Sequence, residues 1–289
     1  MNTLMNVETL QQRMTSGART VLLDVRWALG DPHGRAHYGE AHIPGAVFVD
    51  LEEELSGHGD ARAGRHPLPQ PEAFLESARR WGINNGDTVV AYDDGGNTSA
   101  ARLWWLLRYA GFHRVQLLDG GLAAWREAGY PLDRGQEQPC LGDVRLSFGQ
   151  LPTVDIGEAA AWPANGVLLD ARAVERYRGE TEPVDPKAGH IPGALSAPTS
   201  GNLAADRRFL PATQLAERFA ALGITPATPV AVYCGSGVTA AHEVAALEIA
   251  GIRAALFPGS WSAWSNHSEL PVATGAEPGG TRQADRLSL

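Results

Sequence analysis

The residues best suited to chemistry lie in one short stretch, Val230-Ala-Val-Tyr-Cys234-Gly-Ser-Gly-Val-Thr-Ala240. A thiol attacks as its thiolate, and an ordinary free cysteine is only a few per cent ionised at neutral pH. Two features here favour an anion. The apolar run reads as a strand and the residues after Thr239 as a helix, so a helix N-terminus points at the sulfur. Gly235 and Gly237 let successive backbone N–H groups turn inward as a nest, which Ser236, Val238 and Thr239 complete. The pattern predicts a nucleophilic cysteine; the plainer alternative is a small core residue. A cysteine-dependent phosphatase would want an arginine closing the loop to bind phosphate oxygens, and that position is Ala240. A softer, smaller ligand such as a sulfane sulfur fits better. The second cysteine, Cys140, has no such context.

An earlier stretch copies this region without the thiol. Val89-Val-Ala-Tyr-Asp93-Asp-Gly-Gly-Asn-Thr98 aligns with it and sets Asp93 where Cys234 stands. Leu22-Leu-Asp-Val-Arg26 matches Leu168-Leu-Asp-Ala-Arg172. Ala41-His-Ile-Pro-Gly-Ala46 matches Gly189-His-Ile-Pro-Gly-Ala194, and Asp119-Gly-Gly-Leu-Ala-Ala-Trp125 matches Pro258-Gly-Ser-Trp-Ser-Ala-Trp264. The pairs keep their order and nearly constant spacing, so the chain is a two-copy duplication with one armed and one disarmed copy.

The elements that must position the loop follow the same repeat. Short apolar runs at 21–25, 47–49, 88–92 and 115–118, then 167–171, 230–233 and 254–257, read as strands. Helical patterns cover 71–81, 99–109, 211–222 and 239–250. Continuous apolar strands alternating with helices predict an α/β fold: two tandem domains, each a mostly parallel sheet flanked by helices, related by a pseudo-twofold. The expected division is 1–132 for the disarmed domain, 133–152 for a polar linker, 153–275 for the catalytic domain and 276–289 for a polar, poorly ordered tail.

Composition narrows the function. The chain has 289 residues, a net charge of −9 and two cysteines. That charge argues against a nucleic-acid face. No apolar run approaches the ~20 residues of a membrane span, and the N-terminus lacks the pattern of a signal peptide. Two cysteines make no disulfide framework, so a soluble protein of the reducing cytoplasm is expected. The nine histidines and two cysteines show no ligand-like spacing, so no metal and no cofactor are expected.

With these motifs in hand, the chain resembles the tandem-domain rhodanese family of sulfurtransferases. The resemblance runs from about residue 20 to 264 and rests on His-Ile-Pro-Gly-Ala in both halves, the Asp-Gly-Gly…Trp segment and the Cys234 loop. Cys-Gly-Ser-Gly-Val-Thr looks like the 3-mercaptopyruvate sulfurtransferase branch, since the thiosulfate branch carries basic residues where Gly235 and Ser236 stand. The resemblance implies a Cys234 persulfide that takes sulfur from a small-molecule donor. A thiol acceptor such as thioredoxin or glutathione, or cyanide, then removes it. The alternatives are a thiosulfate-preferring rhodanese, a cysteine phosphatase and a non-catalytic sulfur-binding module.

The duplication and the resemblance together sort the remaining residues. His42 and His190, Asp24 and Asp170, and Arg26 and Arg172 recur in both copies, so a structural role is expected. Arg176 has Gly30 as its counterpart and aligns with the family's donor-binding arginine; a guanidinium fork suits a carboxylate or sulfonate. Lys187 stands near the place of a second basic residue. His66, opposite Arg208 in the repeat, aligns with a histidine that reaches the loop serine, here Ser236. Glu52, or Asp50, would orient it, giving a relay of carboxylate, histidine and serine. The symmetry of that arrangement predicts that Arg208 faces Asp93 and Asp94 as an ion pair. The tryptophans, Trp261 among them, are expected to pack helices on sheets.

Overall fold

The computed structural model describes residues 2–282 and divides into two compact units. The first takes in Met1–Gly57, Leu68–Leu151 and Leu203–Phe209. The second takes in His58–Pro67, Pro152–Asn202 and Leu210–Leu289. Each unit therefore includes a short segment from the other half of the sequence, an exchange that the repeat did not announce.

In the first unit β1 (Leu4–Met5), β2 (Thr20–Asp24), β3 (Val47–Phe48), β4 (Thr88–Tyr92) and β5 (Val115–Leu118) form a parallel sheet in the order β1-β5-β4-β2-β3. In the second, β6 (Val167–Asp170), β7 (Leu195–Ser196), β8 (Val230–Tyr233) and β9 (Ala254–Leu256) form a parallel sheet in the order β7-β6-β8-β9. A parallel bridge from Thr153 to Leu256 takes the place that β1 holds in the first unit. The central strands β4 and β8 are buried along their whole length, which is why their sequences are unbroken apolar runs rather than alternations.

The helices of the first unit are α1 (Val7–Thr15), α2 (Gly34–Glu40), α3 (Leu51–Glu54), α4 (Pro71–Arg80), α5 (Ala100–Tyr109) and α6 (Gly121–Glu127). Those of the second are α7 (Ile156–Ala161), α8 (Val174–Arg178), α9 (Ala212–Ala220), α10 (Thr239–Ile249) and α11 (Ser260–Ser265). Helix α10 shows why a periodicity reading gives little about its orientation. Residues Ala240–Leu247 are all buried, so it has no solvent stripe over that span.

Equivalent side chains hold the two cores. Asp24 and Arg26 pair at 2.7 Å, Asp170 and Arg172 at 2.6 Å, all four buried. His42 stacks on Tyr38 and His190 on Tyr177, with Nδ1 2.9 and 2.8 Å from the carbonyls of those tyrosines. Trp125 and Trp264 donate to Pro131 and Pro271 carbonyls at 2.8 and 2.9 Å. Gly45 and Gly193 close the His-Ile-Pro-Gly turns at φ of 74° and 88°, a region that a side chain would strain. The shared histidines, aspartates and arginines thus belong to the scaffold.

Residues 276–282 depart from the expected loose tail. Strand β10 (Ala273–Thr274) pairs antiparallel with β11 (Thr281–Arg282), and Gly193 donates to the Pro278 carbonyl at 2.7 Å. Backbone pairing orders this stretch despite its polar composition; the remainder, 283–289, lies outside the described residues.

Candidate active site

Strand β8 ends at Tyr233, so Cys234 stands just past the carboxyl end of a central strand, where parallel α/β sheets place their ligands. The loop that follows passes through Gly237 at φ 80° and enters α10 at Thr239. Its carbonyls are tied from outside by α11. Trp261 donates to Cys234 O at 3.0 Å and Ser262 to Gly235 O at 2.8 Å. The Cys234 N–H is held by Ser260 Oγ at 3.1 Å. Gly237 N–H donates to Cys234 Sγ at 3.1 Å, and Cys234 is buried. Ser260 adopts φ 53°, strained for a serine, and Gly121 holds the same place in the first unit at 55°. The strain sits where the chain must turn tightly enough to reach the loop carbonyls.

The disarmed loop shows what such a loop binds. Asp93 is buried, and its carboxylate accepts four backbone N–H groups of its own loop: Gly95 at 2.8 Å, Asn97 at 2.7 Å, Ser99 at 2.8 Å and Ala100 at 3.1 Å. Burial pushes this carboxyl up from its ordinary range, and the four N–H groups pull it back only in part. One copy therefore carries its own anion in the cradle, and the other carries a sulfur. The same geometry corrects the expected Arg208 pairing. Arg208 bonds Asp206 at 3.2 Å, and it is Arg207 that reaches the loop, through the Asp94 carbonyl at 2.9 Å. The Asp93 carboxylate is instead directed at the four N–H groups of its own loop.

The segment 58–67 brings the groups that complete the second unit. His66 Nδ1 lies 2.7 Å from Ser236 Oγ, and both residues are buried. Arg65 N–H donates to Ser262 Oγ at 3.1 Å, which pins the segment to α11. Gly64 makes the approach possible: at φ 92°, a Cβ there would stand 2.7 Å from the Gly259 carbonyl oxygen. Glu52 and Asp50 belong to the first unit. Glu52 Oε1 accepts the Trp27 indole N–H at 3.0 Å, and Asp50 caps the N-terminus of α3. A cavity of about 480 Å³ in that unit is walled in part by Trp27, Arg35, Phe48 and Glu52 and by no residue of the Cys234 loop.

Arg176 projects from α8, which Gly179 ends at φ 75°. It grips Glu182 with Nη2 at 2.6 Å and Nε at 3.2 Å, and reaches Asp185 at 3.2 Å. Arg65 Nη1 bonds the other oxygen of Asp185. Both guanidiniums crowd the loop: a Cβ on Gly235 would lie 3.1 Å from Arg65 Nη2 and 3.4 Å from Arg176 Nη1. Burial alone would lower the Arg172 guanidinium, but Asp170, and then Glu182, outweigh it and hold it above its usual value. Burial pushes the Asp185 carboxyl up against the pull of Arg65 and Arg176.

The structure ties Lys187 to backbone carbonyls rather than to the Arg176 carboxylates. Its ammonium bonds the His267 and Leu270 carbonyls at 2.8 and 3.4 Å, and burial lowers its pKa. The cation that meets Asp185 beside Arg176 is Arg65. Sequence reasoning passed over Arg65, Glu182 and Asp185, although Arg65 is adjacent to His66 in the segment already singled out. Among the described residues no group of three or more histidines, cysteines or carboxylates is placed to hold a metal, and no helix is long and apolar enough to cross a membrane.

The chain is similar to known proteins along most of its length. The rhodanese-like domain model matches residues 6–128 and 155–267. A putative thiosulfate sulfurtransferase, SseB, of Mycobacterium tuberculosis is 47% identical over 278 residues, covering 94% of this chain and 97% of the relative. A probable 3-mercaptopyruvate sulfurtransferase of Pseudomonas aeruginosa is 46% identical over 279 residues, covering 94% and 98%. The crystal structure of the 3-mercaptopyruvate sulfurtransferase SseA of Escherichia coli superposes with a TM-score of 0.80 at 31% identity, covering 90% of this chain and 99% of that one.

Proposed function

Because the chain belongs to the rhodanese family of sulfurtransferases, we propose that it moves a sulfane sulfur from 3-mercaptopyruvate, through a Cys234 persulfide, to a thiol or cyanide. The reading rests above all on the 2.7 Å contact between His66 and Ser236 in the loop that begins with Cys234. Thiosulfate needs no such pair, because its leaving group, sulfite, departs as a stable anion. Mercaptopyruvate must release a carbon.

In the first half-reaction the Cys234 thiolate attacks the donor's thiol sulfur. The S–S bond forms, the C–S bond breaks, and its electron pair passes to the enolate of pyruvate. Ser236, polarised by His66, delivers a proton to that carbon and takes in its place the proton lost by the donor's thiol, which leaves the persulfide as an anion. Arg176 holds the donor carboxylate during the attack. The loop N–H groups hold the charge on the terminal sulfur, as their counterparts hold the Asp93 carboxylate. In the second half-reaction an acceptor thiolate attacks the terminal sulfur and Cys234 leaves as thiolate. Thioredoxin-like dithiols, glutathione and cyanide all fit as acceptors. Cys140, exposed and unpaired with Cys234, suits a reducing compartment such as the cytoplasm.

The test is sulfur release from mercaptopyruvate and from thiosulfate by wild type, Cys234→Ser, Arg176→Ala and His66→Ala. Cys234→Ser should be inactive with both donors, and Arg176→Ala should mainly raise KM. His66→Ala should lower mercaptopyruvate turnover by about 10²–10⁴-fold while thiosulfate turnover falls far less. Equal losses with both donors would remove the proton relay from the account.

A further inference from the structure

Two N–H-bearing atoms without a protein acceptor converge beside Gly235, and a third belongs to one of the same guanidiniums. Arg65 Nε is buried with no hydrogen-bond partner among the described residues. Arg65 Nη2 and Arg176 Nη1 have none among them either, and lie 3.1 and 3.4 Å from where a Cβ of Gly235 would be. The absence of that Cβ leaves room next to the nucleophile, faced by two guanidiniums.

Asp185 stands behind them, nearly inaccessible, with one oxygen on each arginine. Glu182 likewise joins Arg176 to Arg172, which Asp170 holds. When all are ionised, the three arginines are matched by three carboxylates. The cluster offers directed donors without a net positive field. A monoanion bound there adds one uncompensated charge, and a dianion adds two.

We infer that Arg65 is the second arm of the donor clamp, and that Asp185, bridging it to Arg176, sets the clamp's charge so that singly charged 2-oxo carboxylates are preferred over dianions such as thiosulfate. The inference rests on the donor-binding reading of Arg176. It gives the segment 58–67 two tasks: His66 supplies the proton path, and Arg65, one residue earlier, grips the carboxylate. Donor choice is then set outside the cysteine loop, by a carboxylate whose nearest sequence neighbours, Val184 and Pro186, carry no charge.

The test reads anion binding apart from turnover. Alkylation of Cys234 by iodoacetamide is followed by mass spectrometry of its peptide while pyruvate, or sulfate, is titrated as protecting anion. Wild type, Arg65→Gln, Arg65→Lys and Asp185→Asn are compared, with thermal unfolding as the check on folding. Arg65→Gln should need about tenfold more pyruvate for half-protection, and Arg65→Lys should fall between it and wild type because the charge stays but the fork is lost. Asp185→Asn should shift preference toward sulfate over pyruvate by about tenfold, because removing one buried negative charge helps a dianion more. The same variants should change KM for mercaptopyruvate and thiosulfate in the same directions, with smaller changes in kcat. Unchanged midpoints in Arg65→Gln would overturn the second arm. An unchanged sulfate-to-pyruvate ratio in Asp185→Asn would overturn the charge setting. If protection follows the prediction but wild type forms no persulfide from mercaptopyruvate, the clamp stands and the donor assignment fails.

Discussion

Removing the Asp93 carboxylate tests whether these loops are anion cradles at all. Asp93→Ala deletes an acceptor that meets four backbone N–H groups at 2.7–3.1 Å, three of them buried. Hydrogen bonds to a charged group contribute roughly 1.5–3 kcal/mol each, so the gross interaction is on the order of 6–12 kcal/mol. Against it stands the cost of burying the carboxylate, several kcal/mol. That cost is not small here, since burial dominates the upward shift of this carboxyl. Truncation recovers the desolvation cost but orphans the amides, and water entering the vacated space meets some of them. A net loss of about 3–5 kcal/mol is expected, comparable with breaking a buried charge pair. For a unit of this size that lowers the Tm by roughly 10 °C. The assay is thermal unfolding in a buffer free of small oxyanions, then with formate or sulfate added. Asp93→Ala should regain stability as the anion fills the vacancy, by about 2.7 kcal/mol at a hundredfold excess over Kd. Wild type should show only the general salt effect. A variant within about 0.5 kcal/mol of wild type, or one that anions stabilise no more than wild type, would refute the cradle.

Three further outcomes follow from named contacts. Glu243 is fully buried, Asn202 donates to its Oε2 at 2.6 Å, and its Oε1 has no partner among the described residues. Burial, first of all, raises its pKa to about 7. A raised carboxyl binds its proton more tightly folded than unfolded, so the stability it contributes is full below about pH 4.5, falls as pH rises, and is gone above about 7. Glu243→Gln should flatten that fall in Tm between pH 5 and 7.5; an unaltered slope would contradict the assignment. Gly64→Ala must adopt a strained backbone or push Gly259 away, so it should disrupt the delivery of Arg65 and His66 and reduce mercaptopyruvate turnover by at least tenfold, measured beside an unfolding curve. Glu52→Gln tests the carboxylate that the sequence assigned to the relay. A drop in mercaptopyruvate turnover of ten- to a hundredfold with thiosulfate spared supports it, whereas wild-type rates with both donors would remove Glu52 from the relay.

The residues show why some of this was legible and some was not. Long central strands such as β4 and β8 are buried on both faces, so their sequences announce them. Strands β1, β3 and β7 have two residues each; only β3 was anticipated, from the short apolar run 47–49. The Cys234 loop was readable because glycine, serine and cysteine types constrain local backbone. Arg65 and Asp185 were not, because their meeting depends on residues 58–67 packing with the second unit, a contact between parts distant in sequence. The Arg208 expectation failed for a different reason. It counted side-chain charges and left out the backbone N–H groups that already satisfy Asp93. Lys187 was assigned by charge and neighbourhood, but its ammonium is bound by carbonyls.

The most direct measurement is mass spectrometry of the Cys234 peptide after the protein meets mercaptopyruvate and before any acceptor is added. The account predicts a gain of one sulfur atom on that peptide, lost again when a thiol or cyanide is supplied. The Cys140 peptide and the Cys234→Ser protein should remain unmodified. A donor that is consumed while Cys234 never gains sulfur would contradict it.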